Sequence, residues 1–268
     1  MHNCLKISII TVCHNAESCI EKAVQSVIGQ TYKNFEYIVI DGQSTDQTLA
    51  IVNKYKGNIS KIISEKDSGV FDAMNKGVNY STGDIIYFLN SDDYFYDFNI
   101  LEKIDQEFFK NPSTDLLNGK VVVDTGIKNY DKSAFTAPCK TKKDLSRHGL
   151  CHQRVFVKRY LFEKYGLFNT KYKICADFDW LMKVFNSSVE IKFADYFIAH
   201  FYPYGLSSKE RNGRIKETLT IIFKNVSLVE FLYFCLINFV RIPKKLVSFL
   251  YISYLQYFKN SFHSTQRE

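Results

Sequence analysis

KISIITVC (residues 6–13) is a run of eight mostly β-branched or apolar residues with little polar alternation. A strand with one wet face alternates, so this one reads as buried on both faces, as in the middle of a parallel sheet. FEYIVID (35–41) is a second such strand, ending on Asp41, ISKIIS (59–64) a short third, and DIIYFLN (84–90) a fourth. Helical segments separate them. Ile20, Ala23, Val24 and Val27 are spaced for one apolar helix face, with Asn15 expected as the cap. After GQSTDQT a helix carries Leu49, Ile51 and Val52, and residues 69–80 form another, rich in Ala, Met and Asn. A β-α-β rhythm of roughly 30 residues per unit predicts an α/β fold with an open, doubly wound sheet.

In such sheets ligands sit beyond the carboxyl ends of the strands. His14-Asn15, Asp41-Gly42, Glu65-Lys66-Asp67 and Asn90-Ser91-Asp92-Asp93 all fall at that edge. Four strand ends converging with acids and amides mark a site. Past residue 115 the pattern changes. GKVVVDT (119–125) reads as a strand, 128–148 is polar, and 154–165 has helical spacing through Val155, Val157, Leu161 and Phe162. ADFDWLMKVFN (176–186) also has helical spacing, and 189–200 reads as a last strand. There is no internal repeat and no low-complexity segment.

Composition narrows the function classes. Of 268 residues, 46% are hydrophobic and 24% charged, which describes a packed chain and excludes a disordered one. The net charge of +7 is uneven: residues 209–268 hold ten Lys/Arg against four Glu, leaving the body close to neutral. Seven scattered cysteines with no CxxC pair give neither a zinc framework nor a disulfide scaffold and fit reduced thiols in the cytoplasm. The N-terminus is too polar for a signal peptide and reads as the lead into the first strand.

Adjacent carboxylates at a strand end repel unless a cation or solvent relieves them, and Mg²⁺ or Mn²⁺ commonly bridges such acids to a diphosphate. Asp92 and Asp93 fit that pattern; a pair of capping acids before a helix near 99–110 is the plain alternative.

The ordered motifs SIITVCHNAE (8–17), VIDGQSTDQT (39–48), EKDSGVFDAMNKG (65–77) and GDIIYFLNSDD (83–93) resemble family 2 glycosyltransferases. These are the inverting GT-A enzymes that use nucleotide-diphosphate sugars. The similarity continues more weakly through CHQRVF and ADFDW to about residue 208, and AMNKG resembles the bacterial branch that builds lipopolysaccharide, capsule and exopolysaccharide. The resemblance implies a GT-A type, Rossmann-like mixed sheet: a catalytic domain over 1–208, with a nucleotide-binding half (1–95) and an acceptor-side half (96–208). It implies that Thr11, Cys13, His14, Asn15, Glu17 and Asp41 hold the nucleoside, and that Asp67, Asn75, Asn90, Ser91 and Asp92 line the donor side. Asp92 falls at the second acid of the family's DxD, with Asn90 at the first, leaving Asp92 and Asp93 as ligands for Mn²⁺ or Mg²⁺. Asp177 falls at the position of the base that deprotonates the acceptor hydroxyl. Asp179 is the alternative base, and either acid alternatively caps its helix. His152, near His148 and Gln153, is placed on the acceptor side.

This chain departs from its relatives at Met74, where many have Arg, and at Ala176, where Glu is usual. Lys76, Arg154, Lys158 and Arg159 are candidates to meet phosphate, against a plain role on solvated helix faces. The implied reaction moves a sugar from a nucleotide-sugar donor, UDP-linked by resemblance, to a glycan or lipid-linked acceptor. Two alternatives stand beside it. One is a weakened nucleotide-sugar-binding partner of another transferase, suggested by Asn90, Ala176 and Met74. The other is a nucleotidyltransferase, which expects a Gly-rich basic loop after the first strand that TVCHNAESC lacks.

Residues 209–268 read as a helical appendage. Uncharged runs at 231–240 and 246–258 fall short of the roughly 20 residues that span a bilayer. Narrow polar stripes beside wide aromatic faces, with flanking Lys and Arg, suit a helix pair lying on the cytoplasmic membrane surface. A hairpin packed on the catalytic domain, or on a second copy in a homodimer, is the alternative. Positives interleaved with Phe and Leu argue against nucleic-acid binding.

Overall fold

The computed structural model describes residues 4–124, 134–185, 188–203, 205 and 210–239. The chain forms two compact units, the first ending at Thr218 and the second beginning at Leu219. The tail features expected beyond residue 239 lie outside the described residues.

The first unit is built on a nine-stranded sheet. Strands β1 (Ile7–Cys13), β2 (Phe35–Asp41), β3 (Lys61–Ser64) and β4 (Ile85–Phe88) pair in parallel in the order β3-β2-β1-β4. Helices α1 (Ile20–Ile28), α2 (Thr48–Lys54) and α3 (Val70–Tyr80) make the connections. The remaining strands are β5 (Tyr94–Phe95), β6 (Leu116–Val123), β7 (Ala134–Phe135), β8 (Val155–Lys158) and β9 (Ile191–Phe201). The sheet continues from β4 through β8, β6 and β9 to β5, with β8 antiparallel to both neighbours and β7 on β6. Helices α4 (Ile100–Lys110), α5 (Lys142–His148), α6 (Tyr160–Tyr165) and α7 (Ala176–Val184) belong to the same unit. Beyond them come α8 (Arg211–Asn225), which runs across the division, and α9 (Leu228–Phe239).

All seven residues of β1 are buried, as its unbroken apolar run requires. Ile7, Ile9, Tyr37, Tyr87 and Phe156 form one core with α1 and α4, through Val24, Val27, Ile104 and Phe108. The opposite face of the sheet takes α3, where Gly77 lets the helix close onto β1: a Cβ there would run into Ile10 Cγ2. Any larger residue must push the helix off the strand, so this glycine is a packing requirement.

Two local expectations are corrected. Residues 154–165 are not one helix: Val155–Lys158 is a strand wedged between β4 and β6, and only Tyr160–Tyr165 is helical. VFVK has apolar β-branched residues that also satisfy helical spacing, and two open strand edges decide between them. Asn15 does not cap α1, whose N-cap is Cys19 with no side-chain capping bond. Asn15 instead turns the chain with φ of 50°, a conformation Asn tolerates.

Candidate active site

The strand ends and their loops meet at the carboxyl edge of the sheet around a cleft of about 480 Å³, a size suited to a small-molecule ligand. Its walls include Cys13 and His14 from the end of β1, Asp67 and Gly69 before α3, and Asn90, Ser91 and Asp92 after β4. They are joined by Cys151, His152 and Gln153, Lys173 and Asp177, with Tyr202 and Gly205 beyond β9. His14 Nδ1 donates to the Gly42 carbonyl at 3.0 Å, and Asp67 packs so closely on Gly42 that a Cβ there would strike its carboxylate.

Asp177 is the second residue of α7. Its Oδ2 lies 3.1 Å from His152 Nδ1, and its Oδ1 accepts from the Phe178 N–H at 2.8 Å. A carboxylate can only accept, so Nδ1 carries the proton, and in the neutral ring the lone pair falls on Nε2. That Nε2 is buried with no partner, as is Asn90 Oδ1. Behind the pair lies an apolar pocket of about 20 Å³ walled by Phe88, Phe162, Phe168 and Trp180.

Burial raises the carboxyl of Asp92 above its ordinary value. Asp93 is more extreme: burial first, then the charge of Asp92, push its carboxyl up to about 7. Asp93 is 1% exposed and both its oxygens are used, Oδ2 by Gln153 Nε2 at 2.8 Å and Oδ1 by the Tyr202 N–H at 3.0 Å. It does not line the cleft, so the expected joint coordination by Asp92 and Asp93 does not match this geometry. Among the described residues no three His, Cys, Asp or Glu cluster at ligand spacing. Asn90, Asp92 and His152 do line the cleft, and Asn90 Oδ1 and His152 Nε2 are buried without a partner. Oxygens with one imidazole are a set that Mn²⁺ accepts, with the rest of the shell left to diphosphate and water.

Several other expected residues are not among those that line the cleft. Thr11 is fully buried and accepts from the Tyr37 hydroxyl at 3.1 Å. Asp41 is fully buried and spends its oxygens on Ser44 and Ser64. Asn15 Oδ1 accepts from Thr45 N–H at 2.8 Å and Glu17 Oε2 from Gln47 N–H at 2.9 Å, so both lock the loop after β1 to the loop after β2. Asn75 holds both backbone groups of Phe168, at 2.9 Å each. Asp179 is buried and paired with Lys183 at 2.6 Å, which removes it as an alternative base. Met74 is fully buried in the core. Lys76 pairs with Glu65, Arg154 is buried against the Gly119 and Ala137 carbonyls, Lys158 pairs with Asp115, and Arg159 donates to the Ser81 carbonyl.

A family model described as Glycosyl transferase family 2 matches residues 8–167, more than half of the chain. The chain belongs to this family. It is a glycosyltransferase with a GT-A type fold. A Mycobacterium bovis (strain BCG / Pasteur 1173P2) protein named PGL/p-HBAD biosynthesis glycosyltransferase is 29% identical over 208 residues, covering 74% of this chain and 77% of the relative. Among solved structures, S. aureus TarS 1-349 in complex with UDP-GlcNAc superposes with a TM-score of 0.65 at 19% identity, covering 87% of this chain and 73% of that one. A mannosyltransferase from Pyrobaculum calidifontis, in complex with GDP-Man and Mn2+, gives 0.60 at 17% identity, covering 81% and 63%. At these identities the structural likeness speaks for the fold alone. The chain spans 44% of the longer TarS chain.

In this family 2 chain the cleft residues that sequence reasoning missed include Lys173, Tyr202 and Gly205. Lys173 stands four positions before Asp177, and its distance from the acid at the start of an amphipathic helix was the one available signal. Tyr202 and Gly205 carry no pattern of their own; only the return of β9 brings them to the site.

Proposed function

We propose that this glycosyltransferase is an inverting enzyme that takes a sugar from a nucleotide-diphosphate sugar, most simply a UDP-sugar, to a hydroxyl of a glycan or lipid-linked acceptor. The observation that carries the reading is the His152–Asp177 pair lining one cleft with Asn90 and Asp92. TarS in complex with UDP-GlcNAc and the mannosyltransferase in complex with GDP-Man and Mn2+ support the donor class.

Asp177 takes the proton of the acceptor hydroxyl as its oxygen bonds to the anomeric carbon. The bond from that carbon to the diphosphate breaks in the same step, and the nucleoside diphosphate leaves on the opposite face. An α-linked donor therefore yields a β-linked product. His152 donates Nδ1–H to Asp177, fixing the carboxylate's direction, and Asp92, Asn90 Oδ1 and His152 Nε2 are the residues that would hold Mn²⁺ or Mg²⁺. Such an ion, when bound, supplies neutralisation of the charge that develops on the diphosphate.

The mycobacterial relative's name and the family's bacterial branch support surface-glycan or glycolipid synthesis. The basic, aromatic tail supports work at the cytoplasmic membrane surface. Among the described residues no helix is long and apolar enough to cross a membrane.

The test is calorimetric binding of UDP, GDP and dTDP, with and without Mn²⁺, to the wild type and Asp92→Asn. Metal-dependent binding of one nucleotide, lost in the variant, is the expected result. Binding indifferent to metal removes Asp92 from the metal role and favours a weakened binding partner; no binding at all ends the transferase reading in this form.

A further inference from the structure

A nucleotide-sugar diphosphate brings at least two negative charges into a cleft already bearing Asp67, Asp92 and Asp177. Among the described residues lining that cleft, one Lys or Arg is present, Lys173. Its Nζ donates to the Ser68 carbonyl at 3.3 Å, so the side chain reaches from the loop before α7 to the loop that carries Asp67 and Gly69. That contact is long and its acceptor neutral, which makes it easily exchanged for a phosphate oxygen.

The backbone beneath Lys173 is held much more firmly than its head. The Glu217 carboxylate of α8 accepts from three consecutive N–H groups: Lys173 at 2.9 Å, Ile174 at 3.0 Å and Cys175 at 2.9 Å. Cys175 Sγ adds a contact to the Arg214 carbonyl at 3.8 Å, and Gly213 leaves only enough room for Ile174, since a Cβ there would stand 3.0 Å from its Cδ1. Glu217 thus satisfies the donors of the three residues leading into α7 and fixes the backbone that carries Lys173.

We propose that Lys173 binds the donor diphosphate and that Glu217 is the positioning residue that holds Lys173 at the cleft. The inference rests on the nucleotide-sugar reading above. On binding, Nζ leaves the Ser68 carbonyl for a phosphate oxygen, exchanging a neutral acceptor for a charged one.

The experiment compares the nucleoside diphosphate that binds among UDP, GDP and dTDP with its parent nucleoside, in the presence of Mn²⁺. Lys173→Met weakens the diphosphate about tenfold or more and leaves the nucleoside within about twofold, while Lys173→Arg restores most of the loss. Glu217→Ala weakens the diphosphate in the wild-type background and adds little to Lys173→Met, because its effect passes through that side chain. Should Glu217→Ala fail to fold, Glu217→Gln, which keeps one acceptor oxygen, makes the same comparison. Unchanged diphosphate affinity in Lys173→Met, equal loss for nucleoside and diphosphate, or full additivity of the two variants overturns the proposal alone. A wild type that binds none of the three nucleotides overturns the function reading and this proposal together.

Discussion

His152 Nδ1 and Asp177 Oδ2 stand 3.1 Å apart, and the other ring nitrogen of His152 is buried without a partner. The two residues come from different elements, a short turn before β8 and the first turn of α7. The carboxylate orients the ring and the ring proton aims the carboxylate, so each residue's chemistry depends on the other.

Acting as a unit, the pair should show non-additive kinetics. Asp177→Asn is expected to lower turnover by about 10² to 10⁴ while leaving donor binding within about threefold. His152→Ala should cost about 10 to 100-fold, and the double variant less than the product of the two single losses. Steady-state rates on the three variants decide this; costs that multiply would mean independent roles.

Asp92 and Asp93 should separate cleanly in a metal titration. Asp92→Asn is expected to abolish Mn²⁺-dependent nucleotide binding. Asp93→Asn should keep it, since Asp93 faces Gln153 and Tyr202 and not the cleft. EDTA treatment of the Asp93 variant should therefore still weaken nucleotide binding. Loss of metal dependence in that variant would restore Asp93 as a ligand.

Asn75 is expected to matter for folding and not for the nucleotide. Its amide makes two 2.9 Å bonds to the Phe168 backbone. Asn75→Ala leaves a backbone donor and acceptor less well satisfied and should cost about 1–3 kcal/mol of stability. Denaturant unfolding beside nucleotide titration tests this, with the affinity expected to stay at the wild-type value.

Glu36, near the amino end of β2, makes part of the stability depend on pH. Ser8 Oγ donates to it at 2.6 Å, Lys6 Nζ at 2.8 Å and Thr82 Oγ1 at 2.8 Å. Burial opposes ionisation, but these donors outweigh it and hold the carboxyl at about 2, against 4.5 when unperturbed. A folded value below the unfolded one means the contribution is full above pH 4.5 and is lost as pH falls toward 2. Glu36→Gln should therefore be less stable than wild type by about 2 kcal/mol at pH 7, with the gap closing near pH 2. Urea unfolding at the two pH values measures it, and an equal gap at both would show that the charge plays no part.

Much of the scaffold was legible because β1, β2 and β4 are buried on both faces and so carry nearly continuous apolar runs, while β3 at the sheet edge is only part-buried. The segment from 154 to 165 was misread because VFVK is apolar at spacings that suit either a helix or a strand. Nothing local in those four residues reports the open edges of β4 and β6. The site was legible only in part, for a different reason. Cys13, His14, Asp67, Asn90, Ser91, Asp92, His152 and Asp177 do line one cleft, but Thr11, Asn15, Glu17, Asp41, Asn75, Asp93 and Asp179 do not.

By itself the sequence determined the parallel half of the sheet and the edge at which its polar residues collect. Burial on both faces writes a pattern that any reader of the chain can see, and chain direction puts each strand-end motif on the same side. Only the tertiary structure decided which of those polar groups remain free. Hydrogen-bond partners come from loops and helices far along the chain, as Glu217 does for the backbone at Cys175, 42 residues away. A buried polar group must find a partner wherever packing supplies one, and that choice leaves no periodic trace in the sequence.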